Sequence, residues 1–131
     1  MVDASALVEF LLRTDRGRRA AAVVTKPGVD LHVPSLCDIE VASALRGLVR
    51  GRRVTIGRAR EALADYVDLP LMRHDHLGIV SRIFALRDNL SAYDAAYVAL
   101  AEGLGARLLS GDERLVVATR AASDLDVERL D

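Results

Sequence analysis

Hydrophobic and polar positions along the chain follow two periodicities, which predict short strands alternating with amphipathic helices. Apolar runs bounded by turn residues predict strands at residues 1–2, 31–33, 69–72 and 106–109, and a last edge strand at Val127. Apolar positions at helical spacing, several of them following a capping residue, predict helices at 5–12, 16–25, 35–49, 55–66, 76–86 and 91–102, and one that starts at Asp112.

The order of these elements predicts the fold class. Strands that alternate with helices form a parallel sheet with helices on both of its faces, so we expect an α/β fold. The 131 residues fit a single domain, 1–131, with no linker or internal repeat dividing them. A domain of this length buries enough apolar surface to fold without disulfides or a structural metal.

Composition and local sequence features predict the cellular location of the protein. The longest uninterrupted apolar run, residues 95–101, is far too short to span a membrane. The first residues lack the charged and apolar regions of a signal peptide. Cys37 is the only cysteine, which excludes an intrachain disulfide, and we expect it to be a small buried side chain near a helix start. We therefore expect a cytoplasmic protein with no membrane contact.

The charge of the chain is nearly balanced but unevenly distributed. Its formal net charge is −1, which gives no general attraction to nucleic acid. Six arginines and no acid lie between residues 46 and 60, and Arg46 and Arg50 in this basic segment are our candidates for phosphate contacts. The alternative is a solvated connection between two helices.

Four acidic residues are predicted to lie at one edge of the sheet. Asp3 directly follows the first strand, and Asp112 lies three residues past the strand that ends at residue 109. Glu40 lies in the first turns of the helix that leaves strand 31–33, and Asp94 lies in the first turn of the helix that leads into strand 106–109. Because open parallel sheets bind ligands at the carboxyl ends of their strands, we expect these carboxylates to share one site.

Each of these acids also has a purely structural explanation. Asp3 would be a turn residue, Glu40 a solvated helix charge, Asp94 part of a capping box, and Asp112 a helix N-cap. None of these explanations requires the four acids to share one edge of the sheet. The prediction that all four acids meet at this edge therefore favours a functional site.

Clustered carboxylates indicate a particular chemistry. Like charges at close range raise one another's pKa values unless a cation lies between them. A site made only of oxygen ligands favours Mg²⁺ or Mn²⁺ over Zn²⁺. Such an ion makes its bound water easier to deprotonate, and helix N-termini at the same edge favour a phosphate group. The residues therefore predict metal-dependent phosphoryl chemistry.

Four segments carry a resemblance to a known family. They are residues 2–7 (VDASAL), 40–46 (EVASALR), 90–97 (LSAYDAAY) and 110–115 (SGDERL). In their order and spacing, these segments resemble the PIN-domain nucleases, and in particular the VapC toxins of bacterial toxin–antitoxin pairs. The resemblance extends from Asp3 to Leu115.

The resemblance implies both a fold and a function. It implies a three-layer α/β/α fold with a short parallel sheet, and an endoribonuclease that uses Mg²⁺ or Mn²⁺ to cleave single-stranded RNA, leaving 5′-phosphate and 3′-hydroxyl ends. It also implies a VapB-like antitoxin partner and a homodimer. The acids that match the family's motifs, and that would be catalytic and metal-binding, are Asp3, Glu40, Asp94 and Asp112. The hydroxyls that would support them are those of Ser5 and Ser110.

Other candidate residues fit a functional site less well. His74 and His76 are too close in sequence to share a helix face, so the sequence does not favour them as a metal pair. Tyr66, Tyr93 and Tyr97 would either stack on bases or pack in the core, and packing is favoured.

The α/β fold class leaves three alternative functions. An aspartate-nucleophile phosphatase needs a second aspartate where Ser5 stands, and a phosphoryl-accepting receiver needs a lysine near its last strand, whereas Lys26 is the only lysine. The alternative from another class is a non-catalytic module that keeps the fold and binds RNA or protein.

Overall fold

The computed structural model describes residues 1–131 and consists of seven α-helices and four short β-strands. The helices are α1 (Ala4–Leu11), α2 (Asp15–Val24), α3 (Cys37–Arg50), α4 (Ile56–Asp68), α5 (Val80–Ala85), α6 (Ala92–Leu104) and α7 (Glu113–Ala122). The strands are β1 (Leu31–Pro34), β2 (Leu71–His74), β3 (Leu108–Ser110) and β4 (Val127–Arg129). The predicted α/β class is confirmed.

The N-terminal segment joins two pairs of parallel strands. β1 pairs with β2, and β3 pairs with β4, both in parallel. Between the pairs, Val2 forms a parallel bridge with Leu109, and the Leu109 N–H donates to the Met1 carbonyl at 2.9 Å. On the other side, the Val2 N–H donates to the His32 carbonyl at 3.3 Å. The spatial order is therefore β2, β1, the N-terminal segment, β3 and β4.

Helices cover this layer of strands through two sets of contacts. α1 packs against α2, α3 and α4, and it also contacts β3. α6 packs against α5, β1 and β3, while α7 packs against β3 and β4. A continuous core of buried apolar side chains runs between the strands and helices, and its largest fully buried members include Tyr97, Leu7 and Leu45.

Several predicted helix boundaries are confirmed by their capping contacts. The hydroxyl of Thr55 accepts the Arg58 N–H at 3.1 Å, and that of Ser91 accepts the Asp94 N–H at 3.1 Å. α6 ends at Gly105, which has a left-handed φ of 61° that glycine adopts without strain. The helix continues two residues past its predicted end at residue 102.

The predicted starts of two helices, at residues 5 and 35, were wrong. Ser5 lies inside α1, and Asp3 caps that helix by accepting the Ala6 N–H at 2.9 Å. Ser35 does not cap α3 because its hydroxyl donates to the His74 carbonyl at 3.1 Å, and the helix begins two residues later. In both places the serine hydroxyl instead bonds to a residue distant in sequence, Gly111 for Ser5 and His74 for Ser35.

Two predicted strands are displaced, and one predicted helix is divided into two elements. β2 begins two residues later than expected because the Leu69 N–H still bonds to the Tyr66 carbonyl at 3.2 Å at the end of α4. β3 is likewise displaced because the Ala106 N–H donates to Ala101 at the end of α6. The single helix predicted over 76–86 is a 3₁₀ turn at Leu77–Ile79 followed by the short α5.

Cys37 is fully buried at the start of α3, as the sequence predicted. Burial raises the pKa of its thiol to about 11, so the thiol stays protonated at neutral pH and is a poor nucleophile. Separately, none of the seven helices combines the length and the apolar character that crossing a membrane requires.

Candidate active site

Asp3 occupies the position where the N-terminal segment passes into α1. Its side chain is buried, and the exposed fraction of the residue is only 4%. Oδ1 accepts the Ala6 N–H at 2.9 Å and the Ser5 hydroxyl at 2.7 Å, while Oδ2 accepts the Ser110 hydroxyl. Burial raises the pKa of Asp3, although each of these hydrogen bonds lowers it. Desolvation therefore outweighs the three donors.

The two serines connect Asp3 to the loop after β3. Besides donating to Asp3, the Ser5 hydroxyl accepts the Gly111 N–H at 2.9 Å, and the Ser110 hydroxyl accepts the Asp112 N–H at 3.0 Å. A Cβ at position 111 would lie 3.1 Å from the Ser5 hydroxyl oxygen, so a glycine suits this close approach. These bonds hold the backbone of Asp112 beside Asp3, although the two residues are far apart in sequence.

Asp112 caps α7. Its Oδ1 accepts the Arg114 N–H at 2.8 Å and the Leu115 N–H at 3.4 Å. The structural explanation given above, that Asp112 is a helix N-cap, is therefore confirmed. Since one oxygen makes both capping bonds, Oδ2 is left for another ligand.

Glu40 lies in the first turn of α3 and is half-buried. Its Oε1 accepts a hydrogen bond of 2.7 Å from the hydroxyl of Tyr97 on α6. Burial raises the pKa of Glu40, and the negative charges of Asp94 and Asp3 raise it further, while the Tyr97 hydroxyl lowers it. The charges of two other predicted site acids therefore act on Glu40.

Asp94 lies in the first turn of α6 and is also half-buried. Burial raises its pKa, and the charge of Asp112 adds to this effect. The hydrogen bond at Ser91 and the positive charge of Arg114 act in the opposite direction. The structure thus links the four acids through pairwise effects, between Asp3 and Glu40, Glu40 and Asp94, and Asp94 and Asp112.

The four carboxylates are suitable ligands for a hard divalent cation, but their side chains do not converge on one point in this structure. All four side chains offer carboxylate oxygens. Burial raises the pKa values of Asp3, Glu40 and Asp94, and the charges of neighbouring acids add to this effect at Glu40 and Asp94. Yet no three acidic, histidine or cysteine side chains converge closely enough to hold an ion together. Binding a cation would therefore require these carboxylates to move closer together than they lie here.

Helix N-termini add positive potential near these acids. α1, α6 and α7 begin at their caps Asp3, Ser91 and Asp112, so each helix directs its first N–H groups toward this region. Unpaired N–H groups at helix starts favour a phosphate group.

The basic segment contains arginines in two different states. Arg46 and Arg50 are exposed on α3 and make no ion pair or hydrogen bond, so their guanidinium groups are free to contact phosphates. Arg58, in contrast, donates to the Leu11 carbonyl at 2.6 Å and pairs with Glu61. This arginine stabilises the packing of α4 on α1.

The remaining candidates have structural contacts. Tyr66 and Tyr97 are buried, as core packing predicted, whereas Tyr93 is 67% exposed. His74 Nε2 lies 3.0 Å from Nδ1 of His32, and His76 accepts the Leu36 N–H. Glu113, the acid that follows Asp112, is exposed and pairs with Arg129 at 2.7 Å.

Two contacts near the site were not foreseen from the sequence. The Tyr97 hydroxyl bonds to Glu40, and the only sequence signal for this contact is that Tyr97 follows Asp94 by three residues on one helix. Arg16 donates to the Gly111 carbonyl at 2.6 Å and to the Leu130 carbonyl at 2.7 Å, which anchors the loop before Asp112. No local sequence pattern distinguishes Arg16 from Arg18 and Arg19, the exposed arginines of α2.

Comparison with known protein families is consistent across sequence and structure. A model of the PIN domain matches residues 1–121. The chain is 43% identical over 115 residues to VapC ribonuclease Mb0985 of Mycobacterium bovis, a match that covers 88% of this chain and 87% of that protein. It is 37% identical over 123 residues to ribonuclease VapC3 of Mycobacterium tuberculosis, covering 93% of this chain and 88% of that protein.

A solved structure shows the same fold. The crystal structure of PAE2754 from Pyrobaculum aerophilum superposes with a TM-score of 0.66 at 26% sequence identity. The match covers 96% of this chain and 80% of that chain. The resemblance drawn from the four sequence motifs is therefore confirmed.

Proposed function

This chain belongs to the PIN-domain family, among the VapC ribonucleases, and from that premise we propose that it is an endoribonuclease toxin whose active site consists of Asp3, Glu40, Asp94 and Asp112. We further propose that the site uses Mg²⁺ or Mn²⁺. The observation that carries the proposal is the hydrogen-bond network of Ser5 and Ser110, which holds Asp112 beside Asp3. The charges that act between Asp3 and Glu40, Glu40 and Asp94, and Asp94 and Asp112 support it.

Each acid would have a distinct part in this site. Asp3, Asp94 and Asp112 would hold the cation, and Glu40 would bind it directly or through a water. Ser5 and Ser110 would orient the Asp3 carboxylate, since both hydroxyls donate to it. When bound, the ion would lower the pKa of a coordinated water and polarise the phosphodiester. The N-termini of α1, α6 and α7 would favour the phosphate.

The proposed partners follow from the same premise and from surface charge. RNA is the proposed substrate, with Arg46 and Arg50 contacting its phosphates because both side chains are exposed and unpaired. The proposed protein partners are a VapB-like antitoxin and a second copy of the chain in a homodimer. An acidic antitoxin segment would compete for the same arginines.

The decisive experiment is cleavage of a defined pool of single-stranded RNAs by the wild type and by Asp94→Asn, with Mg²⁺ or with EDTA. We expect cleavage by the wild type only with the metal, and loss of at least two orders of magnitude in Asp94→Asn. Asp124→Asn is the matched control because Asp124 is an exposed acid beside the amino end of β4. Cleavage in EDTA would refute the proposed metal dependence.

The same experiment separates the enzyme from a non-catalytic binding module. A module that only binds RNA would leave the pool uncleaved, and Asp94→Asn would then retain the RNA affinity of the wild type. Equal cleavage by Asp94→Asn and the wild type would show that Asp94 does not belong to the site.

A further inference from the structure

Tyr97 combines a core position with a polar contact to the proposed site. Its ring packs in the main core, and only 2% of the residue is exposed. Its hydroxyl lies 2.7 Å from Glu40 Oε1, within the range of a strong hydrogen bond to a carboxylate. Because a rigid aromatic ring carries this donor, the position of the hydroxyl is fixed by core packing rather than by a mobile side chain.

Glu40 needs such a contact more than the other acids do. Asp3, Asp94 and Asp112 have short side chains close to helix starts, whereas Glu40 has a longer side chain with one more rotatable bond. The Tyr97 hydroxyl is its only hydrogen-bond donor in the structure. Repulsion from Asp94 and Asp3 would otherwise favour rotation of the Glu40 carboxylate away from them and into solvent.

The hydrogen bond also distinguishes the two oxygens of Glu40. Tyr97 donates to Oε1, and no protein group donates to Oε2. A carboxylate held through one oxygen can present the other to a ligand without further ordering.

We propose that Tyr97 is a positioning residue, which fixes Glu40 through Oε1 so that Oε2 faces a divalent cation or a water bound to it. This inference rests on the proposed function, since it assumes that Glu40 belongs to a cation site. Tyr97 itself contacts neither the cation nor the RNA.

The chain supplies a closely matched control for this proposal. Tyr66 is 3% exposed, and its hydroxyl donates to Asp38 Oδ1 at 2.6 Å. Arg73 donates to the same oxygen at 2.8 Å, and Asp38 is not one of the proposed site acids. Tyr66→Phe and Tyr97→Phe thus each remove one hydroxyl from a buried tyrosine that bonds to a carboxylate on α3, but only Tyr97→Phe affects the site.

The test measures Mn²⁺ affinity by isothermal titration calorimetry, without RNA, for the wild type, Tyr97→Phe, Tyr66→Phe, Glu40→Gln and the double variant Tyr97→Phe/Glu40→Gln. Loss of a residue that orients a metal ligand typically weakens metal binding about 10-fold to 100-fold. We expect a loss of about tenfold in Tyr97→Phe and less than about twofold in Tyr66→Phe. Thermal unfolding in EDTA shows whether both variants remain folded.

The double variant tests whether Tyr97 acts through Glu40. If it does, adding Tyr97→Phe to Glu40→Gln changes Mn²⁺ affinity no further. At saturating Mn²⁺, cleavage by Tyr97→Phe should have a lower kcat and an unchanged KM for RNA, because Tyr97 lies behind Glu40 and away from the substrate.

Several results would overturn the proposal. Wild-type Mn²⁺ affinity in Tyr97→Phe, an equal loss in Tyr66→Phe, or a further loss in the double variant would each show that Tyr97 does not position Glu40 for the cation. If wild type and Glu40→Gln bind Mn²⁺ equally well, the assignment of Glu40 to the site fails first, and the inference about Tyr97 fails with it.

Discussion

Replacing Asp3 by asparagine should make the protein more stable while removing its activity. The carboxylate is buried, and desolvation raises its pKa despite three hydrogen bonds. The ionised form therefore destabilises the folded state relative to the neutral form. Asparagine keeps an oxygen that accepts from Ala6 and Ser5, and its amide can donate to Ser110 after that hydroxyl turns.

The expected magnitude follows from these contacts. Replacing a charged acceptor by a neutral one weakens each hydrogen bond by about 1 kcal/mol, whereas desolvation of a buried ion costs several kcal/mol. We expect Asp3→Asn to raise the free energy of unfolding by about 1 kcal/mol at pH 7 in EDTA. Asp3→Ala instead removes the cap of α1 and leaves the Ser110 hydroxyl without its acceptor, for a loss of about 2–4 kcal/mol.

Urea unfolding of the wild type and both variants measures these differences, with and without Mn²⁺. A ligand at 100 times its dissociation constant stabilises the folded state by about 2.7 kcal/mol. We expect this gain in the wild type, a much smaller one in both variants, and no RNA cleavage by either variant. A loss of stability in Asp3→Asn as large as that in Asp3→Ala would refute the reasoning, because it would show that the negative charge stabilises the fold.

Three further predictions concern packing, substrate contact and pH. Gly17→Ala should destabilise the protein by about 3 kcal/mol in urea unfolding, because the new Cβ would lie 1.9 Å from the Glu9 carbonyl oxygen; Gly57→Ala, which meets nothing within 4 Å, should not. Arg46→Gln combined with Arg50→Gln should reduce the slope of log RNA affinity against log salt by about 1.4, and an unchanged slope would exclude phosphate contact. Burial raises the pKa values of three site acids, so the stability they contribute is present below their unfolded-state pKa values and is lost as pH rises through the folded-state values. In EDTA, the unfolding free energy should therefore fall as pH rises above about 4, and the fall should be smaller in Asp3→Asn.

Local sequence signals predicted those parts of the fold that depend on neighbouring residues. Ser91 and Asp112 each precede an apolar periodic segment, and each caps the helix that was expected. The choice between Asp3 and Ser5 as the cap of α1 could not be made locally, because Ser110 and Gly111 from the far end of the chain also bond to this pair.

The sequence likewise predicts the general position of the candidate site but not its detailed contacts. Connectivity in a parallel sheet predicts that the loops after the strands share one edge, and the pKa effects among the four acids are consistent with such a shared site. The bond from Tyr97 to Glu40 depends on how α6 lies against α3. No pattern within either helix specifies that geometry.

The position of the N-terminal segment between β1 and β3 has a consequence for synthesis of the protein. The Ser110 hydroxyl that bonds to Asp3 and the backbone of Leu109 that pairs with its segment are synthesised more than a hundred residues after Asp3. A nascent chain interrupted before β3 has neither the central pairing nor Asp112. Copies of this ribonuclease that stop before β3 therefore lack an assembled site, which would spare the translating ribosome and its messenger RNA until β3 and Asp112 have been made.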